Sequence, residues 1–375
     1  MMEKKLFLIV AGDPSGDLHA SNLIKALKRR DSSVRVAAVG GPLCRAVADE
    51  FLEDLASRGV TGFIEPALKI PFLFKLSIRL RDFLTQRRPA ALICVDYYGF
   101  NRRILPHAHK AGIPAYYFVS PQVWASRPGR IKVLKKLVDK MFVIFPFEEK
   151  LYRNAGVPAE FVGHPLLDLI PEPKAREEGT NLIGLLPGSR SSEIRRHLPV
   201  FLEAFRLLRL KNRFLEARLF AAATQPDSAY GRLPDGVTLV REQDYSRRGE
   251  LDLAICSSGT ATLENALLGV PMVVVYKLSW PTYAIARALV KVKHIAMANL
   301  LAGKTVVPEL IQRDATAERI FLEASALLDD PVQAAAVRAD LLTVRRSLGE
   351  PGASDRAAAS ILSGSAAHAR LEAAS

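Results

Sequence analysis

Cysteine is scarce in this sequence: three residues in 375, Cys44, Cys94 and Cys256, lie far apart, two of them inside the apolar runs LICV and LAIC. That distribution supports neither a disulfide framework nor a zinc site. Tryptophan is scarcer, with two residues, and the basic segments are not interleaved with aromatics as a base-stacking surface would require, so no nucleic-acid partner is expected. No apolar run approaches the roughly 20 residues of a membrane-crossing helix. The stretch Leu6–Ala11 is shorter than a signal core and runs straight into Gly12 and Asp13, so it reads as a first strand. No repeat of about 20–50 residues is present, which excludes solenoids and propellers. His19 and His107 lack metal-ligand spacing, and neither a metal nor a cofactor is expected.

The sequence is rich in short apolar runs and positive charge. Hydrophobic residues at 49% and charged residues at 24% suit a folded chain rather than a disordered one. Lys and Arg number 52 against 39 Asp and Glu, a balance of +13 that favours anionic partners. Runs at Leu6–Ala11, Val34–Val39, Ala91–Val95, Ala115–Val119 and Lys140–Phe145 read as buried parallel strands, as do Leu182–Leu186, Arg218–Ala222, Asp252–Cys256 and Met272–Tyr276. Helical stretches such as Asp17–Arg30 and Glu193–Leu210 separate them, which predicts an α/β chain of doubly wound sheets. The Pro- and charge-rich stretch 166–180 reads as a linker between an N-terminal domain (1–165) and a C-terminal one (181–328), with helices and a small-residue tail over 329–375. Ligands of open α/β sheets bind beyond the carboxyl ends of the strands, so function is expected in a cleft between the two halves.

Four loops hold candidate chemistry. AGDPSGD, Ala11 to Asp17, is a glycine turn into a helix with Asp17 as its cap; Ser15, Gly16 and Asp17 are either a structural turn or an acceptor-sugar site. Asp96 ends the strand Ala91–Val95 and is either a general base or a loop-organising carboxylate. PGSRSSEIRR places Ser189 and Arg190 where a phosphate could meet a helix N-terminus and a guanidinium. SSGTATLENALLG offers Ser258, Gly259 and Thr260 to a diphosphate, and Glu264, in the first turn of the following helix, to ribose hydroxyls. For both of these loops ordinary helix capping is the competing account. Two segments bear on location. Ile64 to Leu84 mixes Ile70, Phe72, Leu73 and Phe74 with Lys69, Lys75 and Arg79, as suits either an anionic lipid surface or a buried amphipathic helix. Trp124 to Lys140 is basic and suits phosphate or headgroup contact, or a solvated helix face.

Taken in order, AGDPSGD, VDYYGFN, YYFVSPQVWASR, FPFEEKLY, FVGHPLLD, LLPGSRSSEI, SSGTATLENALLGVPMVVVYK, ANLLAGK and VPELIQ resemble the lipid-A-disaccharide synthase family over most of the chain. The resemblance implies a GT-B fold, two Rossmann-like doubly wound domains facing a central cleft. It implies an inverting transfer in which UDP-2,3-diacylglucosamine and 2,3-diacylglucosamine 1-phosphate (lipid X) give lipid A disaccharide 1-phosphate and UDP. Within it, Asp96 is the base. Arg190, Ser258–Thr260 and Asn299 hold the diphosphate, and Ile64 to Phe74 meet the acyl chains. The implied location is cytoplasmic, peripheral at the anionic inner membrane; a homodimer stays open. The chain departs from the family at Gly99, where a second carboxylate is expected, and at Ser126, where a second Trp is often found. A UDP-sugar 2-epimerase or another GT-B enzyme is the alternative.

Overall fold

The structure, a computed structural model, describes residues 5–57, 65–126, 129–173, 179–242, 244–279, 283 and 293–374. The chain divides into two compact α/β units, Met1–Pro165 with Leu348–Ser375, and Leu166–Ser347.

In the first unit the strands are β1 (Leu6–Ala11), β2 (Arg35–Gly40), β3 (Glu50–Asp54), β4 (Ala91–Val95), β5 (Ala115–Phe118), β6 (Lys140–Val143) and β7 (Ala159–Phe161). Between them run helices α1 (Pro14–Arg30), α2 (Pro42–Val47), α3 (Glu65–Arg87), α4 (Tyr98–Lys110), α5 (Val123–Ser126), α6 (Arg130–Leu137) and α7 (Pro146–Asn154). All pairings are parallel, in the order β3-β2-β1-β4-β5-β6-β7. Central strands such as β1 and β4 are buried on both faces, which is why they are unbroken apolar runs. The order reverses between β1 and β4, and a ligand crevice forms at such a switch point.

The second unit repeats the plan with β8 (Leu182–Leu186), α8 (Ser191–Lys211), β9 (Glu216–Phe220), β10 (Val237–Val240), α9 (Ser246–Gly249), β11 (Leu253–Ser257), α10 (Thr260–Leu267), β12 (Met272–Tyr276) and β13 (Glu309–Ile311). Its order is β10-β9-β8-β11-β12-β13, again parallel, with the switch point between β8 and β11. Phe201, Phe205 and Ile194 of α8 pack on Ile183, Leu185 and Leu219 of the sheet.

Several expectations need correction. The apolar runs of the sequence do not include β3, β7, β10 and β13, and all four lie at sheet edges. Strand ends move by one or two residues, as at Arg35–Gly40 and Glu216–Phe220. The first helix opens at Pro14, not Asp17, because proline supplies a helical φ at the first position and Asp13 caps it. The stretch 329–375 divides: helix Pro331–Ser347 belongs to the second unit, whereas helix Ala353–Ala374 packs on α1 of the first. In the second unit the buried Arg345 binds the carbonyls of Leu267 at 2.8 Å and Ile170 at 3.2 Å, anchoring the chain that enters the unit.

Candidate functional site

The first unit gathers three carboxyl groups around its switch point. β1 ends at Ala11, and Gly12 lies so close to Tyr97 that a Cβ there would fall 2.0 Å from the ring. Asp13 caps α1, its Oδ1 accepting from the Gly16 amide at 2.6 Å. Burial raises its pKa, and that amide partly offsets the rise. At the end of β4, Asp96 and Tyr97 both adopt left-handed backbone, with φ 44° and 37°. The Asp96 carbonyl is pinned by Asn101 Nδ2 at 2.8 Å and by the Tyr117 hydroxyl, and its Oδ1 accepts from the Tyr97 amide at 2.8 Å. Burial first, then the Asp13 charge and more weakly that of Glu148, push the Asp96 pKa up to about 7, against the pull of the Tyr97 amide. Strained backbone of this kind is characteristic of working sites.

Asp17 is not the cap of its own helix. Its buried carboxylate accepts from the amides of Gly41 at 2.7 Å, Cys44 at 3.0 Å and Leu43 at 3.0 Å, and so closes the N-terminus of α2. Ser15 is exposed, its Oγ 3.4 Å from His19 Nε2, and Gly16 is buried. His19 and His164 are buried, and desolvation lowers their pKa values to about 4 and about 3. Both are neutral at pH 7. A Cβ at Gly99 would stand in open space.

Sequence reasoning missed Glu148. This fully buried residue of α7 accepts from Ser120 Oγ at 2.7 Å, Trp124 Nε1 at 3.0 Å and the Phe145 amide at 3.2 Å, and burial pushes its pKa up to about 7. The Phe-Pro-Phe-Glu spacing carries a helix-start signal, an acid at the third helical position, but no signal of burial.

The second unit brings two helix N-termini to its switch point, and they differ. At α8 the Glu193 side chain is the occupant: Oε2 accepts from the amides of Ser189 at 3.1 Å and Arg190 at 3.2 Å, and Oε1 from Arg190 Nη1 at 3.1 Å. The amides offered to a phosphate are therefore already paired, while the Arg190 side chain stays 62% exposed. At α10 no side chain caps the helix, and a Cβ built on Gly259 has no neighbour within 4 Å. Ser258 donates its amide to Val275 O at 3.2 Å, and Thr262 Oγ1 closes on Gly259 O at 2.7 Å.

Glu264 lies one turn deeper into α10 than expected. It accepts from Tyr245 Oη at 3.1 Å and Arg248 Nη1 at 2.5 Å, and Arg248 also binds Glu242 at 3.1 Å. The Asn299 side chain is buried and saturated: Nδ2 donates to Val307 O and Glu309 Oε1, both at 2.8 Å, and Oδ1 accepts from the amides of Val306 and Val307. It organises its own turn and has no donor left for a diphosphate. His197, also missed, ties the Pro187 carbonyl at 2.8 Å to the Lys277 amide at 3.1 Å, linking the ends of β8 and β12. Among the described residues no cluster of His, Cys, Asp or Glu is arranged to hold a metal ion.

On α3, Ile70, Phe74 and Ile78 are exposed at four-residue spacing, whereas Phe72 and Leu73 turn inward onto the core, as a helical period of 3.6 requires. Ile64 lies outside the described residues. Beside this stripe is a groove of about 410 Å³ lined by Leu52, Lys75, Ile78, Arg79 and Phe83. Among the described residues no helix is long and apolar enough to cross a membrane.

Residues 7–361 match the lipid-A-disaccharide synthetase family. The chain is 42% identical over 371 residues to the lipid-A-disaccharide synthase of Syntrophus aciditrophicus (strain SB), covering 95% of this chain and 97% of that one. It is 41% identical to that of Geobacter metallireducens (strain ATCC 53774 / DSM 7210 / GS-15), over 96% and 97% respectively. The fold is similar to MurG from Acinetobacter baumannii (TM-score 0.63, 17% identity, 96% of this chain and 99% of that). It is also similar to the UDP-GlcNAc 2-epimerase of Neisseria meningitidis (TM-score 0.58, 12% identity, 96% and 99%).

Proposed function

The chain belongs to the lipid-A-disaccharide synthetase family, and from that premise we propose how its two units divide one transfer. It is a GT-B glycosyltransferase that joins UDP-2,3-diacylglucosamine to 2,3-diacylglucosamine 1-phosphate, forming a β-1,6 disaccharide 1-phosphate and releasing UDP. Asp96 takes the proton of the acceptor 6-hydroxyl as that oxygen attacks the donor C1, and the C1–O bond to UDP breaks on the opposite face. The observation that carries this assignment is the Asp96 carboxyl, poised at about 7 on a pinned, strained turn. A base is most effective with its pKa near the working pH.

The departing diphosphate is received by the second unit, at the uncapped N-terminus of α10 and the exposed guanidinium of Arg190. One preorganised donor of this kind contributes ~3 kcal/mol to a transition state. Glu264, oriented by Arg248 and Tyr245, meets the ribose. Ser15 and Gly16 border the acceptor. Ile70, Phe74 and Ile78 meet acyl chains at the cytoplasmic face of the inner membrane, where burial is worth about 0.8 kcal/mol per CH₂. Phe72 and Leu73 support that helix from beneath.

The test incubates wild type and Asp96→Asn with both sugar lipids in detergent micelles and follows UDP and disaccharide by mass spectrometry. Wild type is expected to make both products and the folded variant neither. Full activity in Asp96→Asn would remove Asp96 as the base, and UDP release without disaccharide would remove the transfer itself.

A further inference from the structure

Val119 follows β5 with φ 61°, left-handed backbone that a β-branched residue rarely adopts. It lies beside Asp96, because β4 and β5 pair at Val95 and Phe118 and the Asp96 amide donates to Phe118 O at 3.0 Å. The strained residue opens the turn Ser120–Trp124, and two side chains one turn apart on α7 hold that turn. Glu148 binds Ser120 and Trp124, and the Tyr152 hydroxyl donates to Pro121 O at 2.9 Å. The Trp124 ring also meets Phe147 edge-on at 5.3 Å. Strain of this type persists only where surrounding contacts over-determine it.

We propose that Glu148 is a positioning residue for the transfer, clamping with Tyr152 the strained Val119–Trp124 turn that lies next to Asp96. The inference rests on Asp96 being the base. A turn held in one shape keeps the wall beside the reacting hydroxyl fixed, and displacements of about 1 Å are costly in such sites. The charged or titratable groups around the pair are Asp13 from the β1–α1 loop, Tyr117 from β5, Tyr97 and Tyr98 from α4 and its entry, Tyr152 from α7, and Arg130 from α6. Of these, Asp13 and Glu148 are the carboxylates whose charge opposes ionisation of Asp96.

The test compares wild type, Glu148→Gln, Val119→Gly, the double variant and Asp96→Asn, all as full chains, by thermal melting and by the pH dependence of transfer. Glutamine keeps an acceptor for Ser120 and Trp124 but removes the charge and turns an N–H toward the Phe145 amide. The expected result is a loss of kcat of about tenfold in Glu148→Gln with both KM values within about threefold. Its acidic limb should move to lower pH. Glycine adopts φ 61° without strain, so adding Val119→Gly should restore most of kcat while the limb stays displaced. A folded Glu148→Gln enzyme with wild-type kcat and limb would overturn the proposal, as would a loss that glycine does not restore and that leaves the limb in place. Should Glu148→Gln not fold, the cycle is read with Tyr152→Phe, where a kcat loss unrelieved by Val119→Gly overturns the clamp. Full activity in Asp96→Asn would instead fell the reading of the base.

Discussion

The two units share one strand order about their switch points and use it for opposite electrostatic ends. In the first, Asp13, Asp96 and Glu148 are withdrawn from water, and desolvation raises the pKa of each. In the second, Arg190 stands in solvent and one helix N-terminus is uncapped. Parallel topology delivers loops to the carboxyl end of each sheet, but burial decides what those loops become: a carboxyl that can hold or release a proton near pH 7, or an exposed guanidinium beside an uncapped helix N-terminus.

That contrast breaks most sharply at Asp96. Replacing it by Asn should cut transfer by about 10³-fold, within the range of a lost general base. The same change should stabilise the first unit at high pH. The folded pKa of Asp96 lies near 7 and above the unfolded value of 3.8, so ionising it costs folding energy from about pH 4 upward. Stability is therefore lost as pH rises through that window, at about 1.4 kcal/mol for each pH unit crossed between the two values. Denaturant unfolding at pH 4 and pH 8 measures this: the gain from Asn should appear at pH 8 and vanish at pH 4. Activity follows the opposite sign, rising with pH through about 7 in wild type.

In the second unit, Arg190→Ala should cost about 10²-fold in kcat, with the melting temperature unchanged because the side chain is mostly exposed. Next in size is a purely structural effect. Asp17→Ala leaves three amides of the α2 N-terminus without an acceptor and should lower unfolding free energy by about 2–3 kcal/mol, read by urea titration. Smallest is Gly99→Asp, which adds the carboxylate expected there from the resemblance, at a position open to solvent and outside the Asp96 network; kcat should change by less than about twofold. A larger change would sharpen the comparison by bringing α4 into the first site.

The sequence is most legible where burial is symmetrical. Strands covered on both faces appear as apolar runs, whereas β3, EFLED, is half-buried along its length and holds only Phe51 and Leu52 between acidic residues. β7 and β13 are three residues long and carry too little pattern to register. Asp96 and Arg190 stand out because strand ends mark them. Asp17 and Asn299 mislead because a polar residue looks the same in sequence whether it serves a ligand or the chain's own backbone groups. Glu148 escapes because its solvent exclusion is set by Ser120, Trp124 and Phe145, which meet it only in three dimensions.

Helix Ala353–Ala374 returns to α1 across the whole intervening second unit, with Arg29 bonded to Asp355 at 3.0 Å and Lys140 to Ser360 at 2.9 Å. During synthesis on a ribosome, the second unit can therefore close first, while the earlier-made first unit waits with part of α1 uncovered until helix Ala353–Ala374 emerges. Completion of the unit that bears Asp96 is thus postponed until the second unit has been made, and a chain stopped near Ser347 would present an exposed apolar helix face to chaperones and proteases.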